Sequence, residues 1–275
     1  MPRFDPPPAR RPAIVAGASS GIGAATAEEL ARRGFPVALG ARRVDKLAKL
    51  VSEIRDNGGE AVAFSLDVTD AESVKSFVAQ SIDALGEIEL LVSGAGDMFP
   101  GRIHELPTEA FNDQIQVHLI GANRLATAVL PDMAARRRGD VIFVGSDVAL
   151  QQRPHMGAYG AAKAALVAMV HNLRMELEGT GVRASIVHPG PTLTEMGWKL
   201  SAEQVGPMLE DWAKWGQARH SYFLRPQDLA RAIAFVAETP RGAHIVDLEV
   251  QPEAPLRDTA SDRQHLQLGE EGMPS

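Results

Sequence analysis

The chain contains no cysteine, which excludes disulfides, thiolate nucleophiles and thiolate-held metals together. That absence agrees with a reducing, cytoplasmic setting. Aromatic residues make up only 5% of the chain, with two tyrosines and three tryptophans, so each invites a specific reading. No stretch reaches the roughly 18 apolar residues of a membrane-spanning helix, and 1–12 holds no apolar run of secretory length. Neither export nor a membrane partner is expected. Acidic residues outnumber basic ones, 35 to 28, for a formal charge of −7, and no long Lys/Arg run supplies the basic face that phosphate backbones require. Nucleic acid is therefore excluded as a partner, and the short run Arg136–Arg138 suits a helix end. No carboxylate pair or histidine cluster has metal-ligand spacing.

What is present is ordinary globular material: 275 residues, 45% hydrophobic and 23% charged, enough for one large core. A proline- and arginine-rich arm, 1–12, and an acidic tail, 253–275, are read as flexible. Between them, 13–252 forms one domain in which apolar runs of strand length alternate with helical segments. Strands are expected at 13–16, 36–40, 60–66, 88–92, 141–145, 182–187 and about 244–250. A single helix is expected from about Thr108 to Arg136, and another from about Met156 to Glu178. Thr69 and Glu72 have the spacing of a capping box. This alternation predicts an α/β fold, a single doubly wound parallel sheet of Rossmann type with helices on both faces and ligands at the carboxyl ends of the strands.

The residues at those ends carry chemistry. Gly17-Ala-Ser19-Ser20-Gly21-Ile22-Gly23 follows the first strand and opens a helix, so a pyrophosphate can approach exposed N–H groups at a positive helix end. After the second strand, where an acid would bind ribose hydroxyls, stand Arg42 and Arg43. An arginine grips a 2′-phosphate through paired charge-assisted hydrogen bonds, so NADP(H) is preferred, with NAD(H) still possible. Arg42 is taken as the main contact, with Ser19 or Arg43 in support. Asp67, followed by Val68, is placed to accept from the adenine amino group or to cap a helix. Ser93-Gly94-Ala95-Gly96 again suggests close backbone approach by a ligand.

Tyr159 and Lys163, four apart, share one helix face. A phenol ionises near pH 10, and lowering that by about three units takes about 4 kcal/mol. A cation about 4 Å away at an effective dielectric of about 20 supplies that amount. Ser146, at the end of the fifth strand, lies thirteen residues upstream of Tyr159. His118, mid-helix, either relays protons near neutral pH or is a satisfied interior histidine. Pro189, Gly190, Thr192 and Thr194 follow the sixth strand. The stretch 195–223 then holds Met196, Trp198, Met208, Trp212, Trp215 and Tyr222, and reads as a cover over an apolar substrate, at least half of it packing on its own core. Met98, Phe99, Ala149 and His155 are further candidates for the pocket lining.

Taken in order, these motifs resemble the short-chain dehydrogenase/reductase family over about 12–252. Gly17 to Gly23 matches its cofactor turn, Asp67 its adenine-binding acid and Gly94 to Gly96 its strand-four motif. Ser146, Tyr159 and Lys163 match its catalytic set, and Pro189, Gly190 and Thr194 its nicotinamide segment. The resemblance implies hydride transfer between nicotinamide and a carbonyl or alcohol. Tyr159 would be the acid/base, Ser146 would orient the substrate oxygen, and Lys163 would lower the tyrosine pKa and hold the ribose. It also implies a homodimer or homotetramer. Three positions depart from the pattern: Ala16 for a threonine, Ser93 for an asparagine, and His118 for the asparagine that supports the proton-relay water. A weakly catalytic nucleotide-binding regulator and a non-redox lyase are the competing functions on this scaffold.

Overall fold

A computed structural model of the chain describes residues 8–196, 202–217, 220 and 222–256. Seven strands pair in parallel: β1 (Ala13–Ala16), β2 (Val37–Ala41), β3 (Ala61–Ser65), β4 (Leu90–Ser93), β5 (Gly139–Val144), β6 (Val182–Pro189) and β7 (Asp247–Val250). Their spatial order is β3-β2-β1-β4-β5-β6-β7. The chain moves outward from β1 to β3 and returns to lay β4 beside β1, which makes the β1/β4 crevice the topological switch point.

Alternation along the strands divides the core into two layers. Ala13, Val15, Leu90, Val92, Ile142 and Val144 face one side, where they meet α1 (Gly21–Arg32), α2 (Val44–Asp56) and α8 (Pro226–Ala237). Ile14, Ala16, Leu91, Val141, Phe143 and Ile186 face the other, against α3 (Ala71–Leu85), α5 (Gly121–Ala135) and α6 (Gly157–Glu176). Strands buried on both faces read as continuous apolar runs. Gly40 is needed in β2 because a Cβ there would lie 2.6 Å from the Phe77 ring and from Leu66.

Three local expectations are corrected. The cap of α3 is Asp70, whose carboxylate accepts from the amides of Glu72 and Ser73. Thr69 instead donates to Asp67. The expected long helix is divided into α4 (Thr108–Ile115), a π turn at Gln116–Ile120, and α5. Within the expected flexible arm, Pro12 is buried and Arg11 is only 7% exposed, its guanidinium donating to Asp140 and to the Ala237 carbonyl.

Asp140 lies at the amino end of β5, where it also accepts from Arg183 at 2.6 Å and faces Arg241 at 3.7 Å. Beside it, buried Glu89 accepts from Arg136 and Arg138. Arg136 and Arg138 thus serve a buried carboxylate rather than a helix dipole alone, while Arg137 donates to the Gly179 carbonyl. Removing one member of such a network costs about 3–5 kcal/mol, because the remaining charges stay buried without a partner.

Candidate active site

The glycine turn lies on the β1/β4 crevice. Gly17 has φ +87°, and a Cβ there would meet the Gly94 carbonyl at 2.7 Å; one on Gly23 would meet the Gly17 carbonyl at 2.3 Å. The turns after β1 and β4 are thus packed backbone on backbone, with Gly94 N donating to Ala16 O. Thr194, carried in from beyond β6, approaches Gly21 with its methyl 3.1 Å from a would-be Cβ. Gly190 N donates to the Val250 carbonyl, and Thr192 closes onto Gly190 O. The sequence-chosen turns therefore do converge.

The two arginines differ in how they are held. Arg42 is exposed and, among the described residues, makes no hydrogen bond or ion pair; its charge helps lower the Asp67 pKa. The larger causes of that shift are hydrogen bonds from Thr69, both on Asp67 Oδ1. Arg43 is the organised residue. Its guanidinium donates to the Ser19 hydroxyl at 2.9 Å and the Ser20 hydroxyl at 2.6 Å, and pairs with Glu195 at 2.7 Å. Lys46 holds the other Glu195 oxygen at 2.6 Å. Lys46 and Glu195 were not chosen from sequence as cofactor contacts, because the pairing spans 149 residues and no local motif encodes it. The donor set fits a dinucleotide phosphate: uncovered turn amides, two serine hydroxyls and two cations on one rim.

The chemical residues meet at the ends of β4 and β5. Ser146 Oγ accepts from Val148 N, and Lys163 Nζ donates to the Val144 carbonyl at 2.7 Å. The lysine nitrogen lies 5.7 Å from the Tyr159 ring centre. The His118 ring meets that ring edge-on, with centroids 5.0 Å apart. His118 leans on Gly96, where a Cβ would lie 2.2 Å from Cε1. Only glycine leaves room for the imidazole.

Electrostatics here run opposite to one expectation and against one of the two readings of His118. Burial pushes the Tyr159 phenol up to about 12; a hydrogen bond from Ser146 pulls it down and the Asp147 charge pushes it up. Burial likewise pushes the Lys163 ammonium down to about 7. In this state the lysine does not depress the tyrosine. His118 does not titrate near neutrality either, since burial and the nearby Lys163 charge lower it to about 3. Its Nε2 lies 2.6 Å from the Asp97 carbonyl, which can only accept, so Nε2 carries the proton. Nδ1 is left as a bare, buried acceptor without a partner.

Two further residues escaped the sequence reading. Asp147 is buried next to Ser146 and pairs with Arg153 through both oxygens, at 2.6 and 3.2 Å. Arg153 lies over Trp212 of α7 (Ala202–Lys214) at 5.5 Å. Trp212 in turn donates to the Pro154 carbonyl, and His155 binds Asp211 at 2.8 Å. Met208 is buried against Tyr159, Val148 and Met156, with Met98 and Trp212 at the margin. The cover thus reaches the phenol through Met208, while Trp215, Tyr222 and Phe99 are exposed and Trp198 lies outside the described residues.

A doubly wound sheet with a glycine turn at its switch point and a Ser–Tyr–Lys set beside it defines a nicotinamide-dependent oxidoreductase. A profile of the family described as short chain dehydrogenase matches residues 11–205. A 2,3-dihydro-2,3-dihydroxybenzoate dehydrogenase of Bacillus subtilis is 37% identical over 194 residues, covering 70% of this chain and 74% of that protein. A glycine betaine reductase of Emericella nidulans is 33% identical over 241 residues, covering 87% of this chain; the chain spans only 18% of that protein's length. Among solved structures, an alcohol dehydrogenase from the archaeon Thermococcus sibiricus, complexed with 5-hydroxy-NADP, has a TM-score of 0.77 and 30% identity. It covers 90% of this chain and 100% of its own. A metagenomic short-chain oxidoreductase in complex with NADP has a TM-score of 0.74 and 28% identity, covering 89% of this chain and 98% of its own. The chain belongs to the short-chain dehydrogenase/reductase family and is an oxidoreductase.

Proposed function

We propose that the chain interconverts a carbonyl compound and its alcohol with NADP(H), Tyr159 acting as acid and base. The observation that carries this reading is the convergence of Tyr159, Ser146, Lys163 and His118 beside the glycine turn. A bound nicotinamide supplies the hydride. A phenol held near 12 keeps its proton at neutral pH, which is the form that carbonyl reduction consumes. Ser146, at the end of β5 beside that phenol, orients the substrate oxygen. Lys163 spends one N–H on Val144 O; its two others are available to ribose hydroxyls and to the phenolate as it forms. His118, neutral, offers Nδ1 as a fixed acceptor for a proton-carrying water.

Arg43, rather than Arg42, is the main 2′-phosphate contact in this reading, supported by Ser19 and Lys46. Asp67 and Val68 border the adenine, and Ser93 to Gly96 with Pro189 to Thr194 border the nicotinamide. The substrate is small and apolar on the side facing Met208, Met98 and Trp212. The working form is a cytoplasmic homodimer or homotetramer.

The decisive experiment follows NADPH absorbance over a panel of ketones, aldehydes and secondary alcohols, with Tyr159→Phe as the comparison. Turnover falls on the order of 10³-fold or more, and calorimetry finds NADPH affinity within about twofold of the unaltered chain. Undiminished turnover would sink the assignment of Tyr159. A chain that binds neither nicotinamide cofactor would sink the whole reading.

A further inference from the structure

Glu195 is the first residue of the cover and lies on the cofactor rim rather than over the substrate. Its two oxygens are divided between two cations, Oε2 on Arg43 and Oε1 on Lys46. Both partners belong to the β2–α2 corner, and Arg43 is fixed from behind by the Ser19 and Ser20 hydroxyls. The two hydrogen bonds hold the carboxylate pKa down at about 2, so the group is anionic at every working pH. A carboxylate bridging two cations makes the same kind of contact that a phosphate makes at such a site.

Resting on the NADP(H) reading above, we propose that Glu195 is an internal stand-in for the cofactor's 2′-phosphate and thereby a cofactor-discriminating residue. NADP(H) must displace it from Arg43 and Lys46, whereas NAD(H), with a hydroxyl at that position, leaves the bridge closed. The displaced anion takes the start of the cover with it. Thr194 and Glu195 adjoin the glycine turn at one end, while the far end is held by Asp211 on Arg102 and His155 and by Trp212 on the Pro154 carbonyl. The same cover carries Met208 against Tyr159.

Two consequences follow from charge. With Glu195 in place, the Arg43–Lys46 pair has a net charge of +1; with glutamine it has +2, and an incoming phosphate of charge about −1.5 to −2 meets no competitor. All three tryptophans, Trp198, Trp212 and Trp215, lie in the segment that Glu195 begins. Their fluorescence therefore reports on the cover without any need for turnover.

The test uses the full chain, its Glu195→Gln variant and, as a charge-matched control at the opposite end of the sheet, Glu178→Gln. Calorimetry with NADPH and NADH gives a tightening on the order of tenfold for NADPH in Glu195→Gln. NADH stays within about twofold in every protein, and the control binds both like the unaltered chain. Adenosine 2′,5′-bisphosphate, which lacks the nicotinamide, changes tryptophan emission in the unaltered chain, adenosine 5′-monophosphate does not, and Glu195→Gln no longer responds. NADPH binding that is unchanged or weaker in Glu195→Gln overturns the inference, as does an equal emission change with both nucleotides. If neither the unaltered chain nor Glu195→Gln binds NADPH better than NADH, the NADP(H) reading falls and the inference with it; if the preference is present but Glu195→Gln leaves it unmoved, the inference falls alone.

Discussion

The two ends of the same strands differ in how completely their polar groups are paired. At the amino ends, Asp140 meets Arg11, Arg183 and Arg241, and Glu89 meets Arg136 and Arg138. At the carboxyl ends, Tyr159 and Lys163 are buried with their charged forms disfavoured, His118 Nδ1 has no partner, and Arg42 makes no ion pair among the described residues. The charged groups of the first end are paired with one another. At the second, Asp147 pairs with Arg153 and Lys163 reaches the Val144 carbonyl, while His118 Nδ1 and the Arg42 guanidinium have no hydrogen-bond partner among the described residues, the condition of groups that await a ligand. One sheet thus places structural and chemical uses of buried polarity a strand's length apart.

Four substitutions probe the contrast. Asp140→Asn strands the surrounding guanidinium groups and lowers unfolding free energy by about 3–5 kcal/mol, read from urea denaturation, while NADPH affinity is retained. An equal loss at both would show that the two ends are not independent. Lys163→Met acts in the other direction. The folded chain holds the lysine pKa near 7 against an unfolded value near 10.4, so the burial penalty is full below pH 7 and lifts as pH rises towards 10. The variant is therefore more stable than the unaltered chain at pH 6, on the order of 3 kcal/mol, and lacks the rise in stability between pH 7 and 10, although turnover is lost. Arg43→Gln weakens NADPH binding about 10- to 30-fold with little effect on NADH. Arg42→Gln, exposed and unanchored, weakens NADPH by about threefold or less, and an effect as large as that of Arg43→Gln would restore the order expected from sequence.

The parts of the site that were legible in the sequence are those encoded locally. Gly17 to Gly23 has to turn and Ala13 to Ala16 has to be buried, and the structure agrees on both. Ser146, Tyr159 and Lys163 come together because a strand end and the helix after it leave few other arrangements. What stayed hidden depends on partners remote in sequence. The anchoring of Arg43, which Arg42 lacks, depends on Glu195, 152 residues away. The cap of α3 lies between adjacent Thr69 and Asp70, two competent capping residues that sequence preference scarcely separates. The pKa values of Tyr159 and His118 follow from desolvation, which spacing cannot report; a four-residue separation predicts a shared face but not the depth at which that face lies.

The π turn at Gln116–Ile120 has a consequence for how this chain tolerates changes of length. A helix that widens for one turn contains, in effect, one residue more than its neighbours require. Removing a single residue there would restore regular winding from Thr108 to Ala135, with gains in backbone regularity. Because each residue subtends about 100° of an α-helix, the repaired helix could not keep both halves facing as they do. Either His118 would leave Gly96, or Gly121 would leave Val68, against which it now packs too closely for any side chain. Surface loops absorb such deletions readily, whereas here one codon more or less decides whether the imidazole stands beside the phenol.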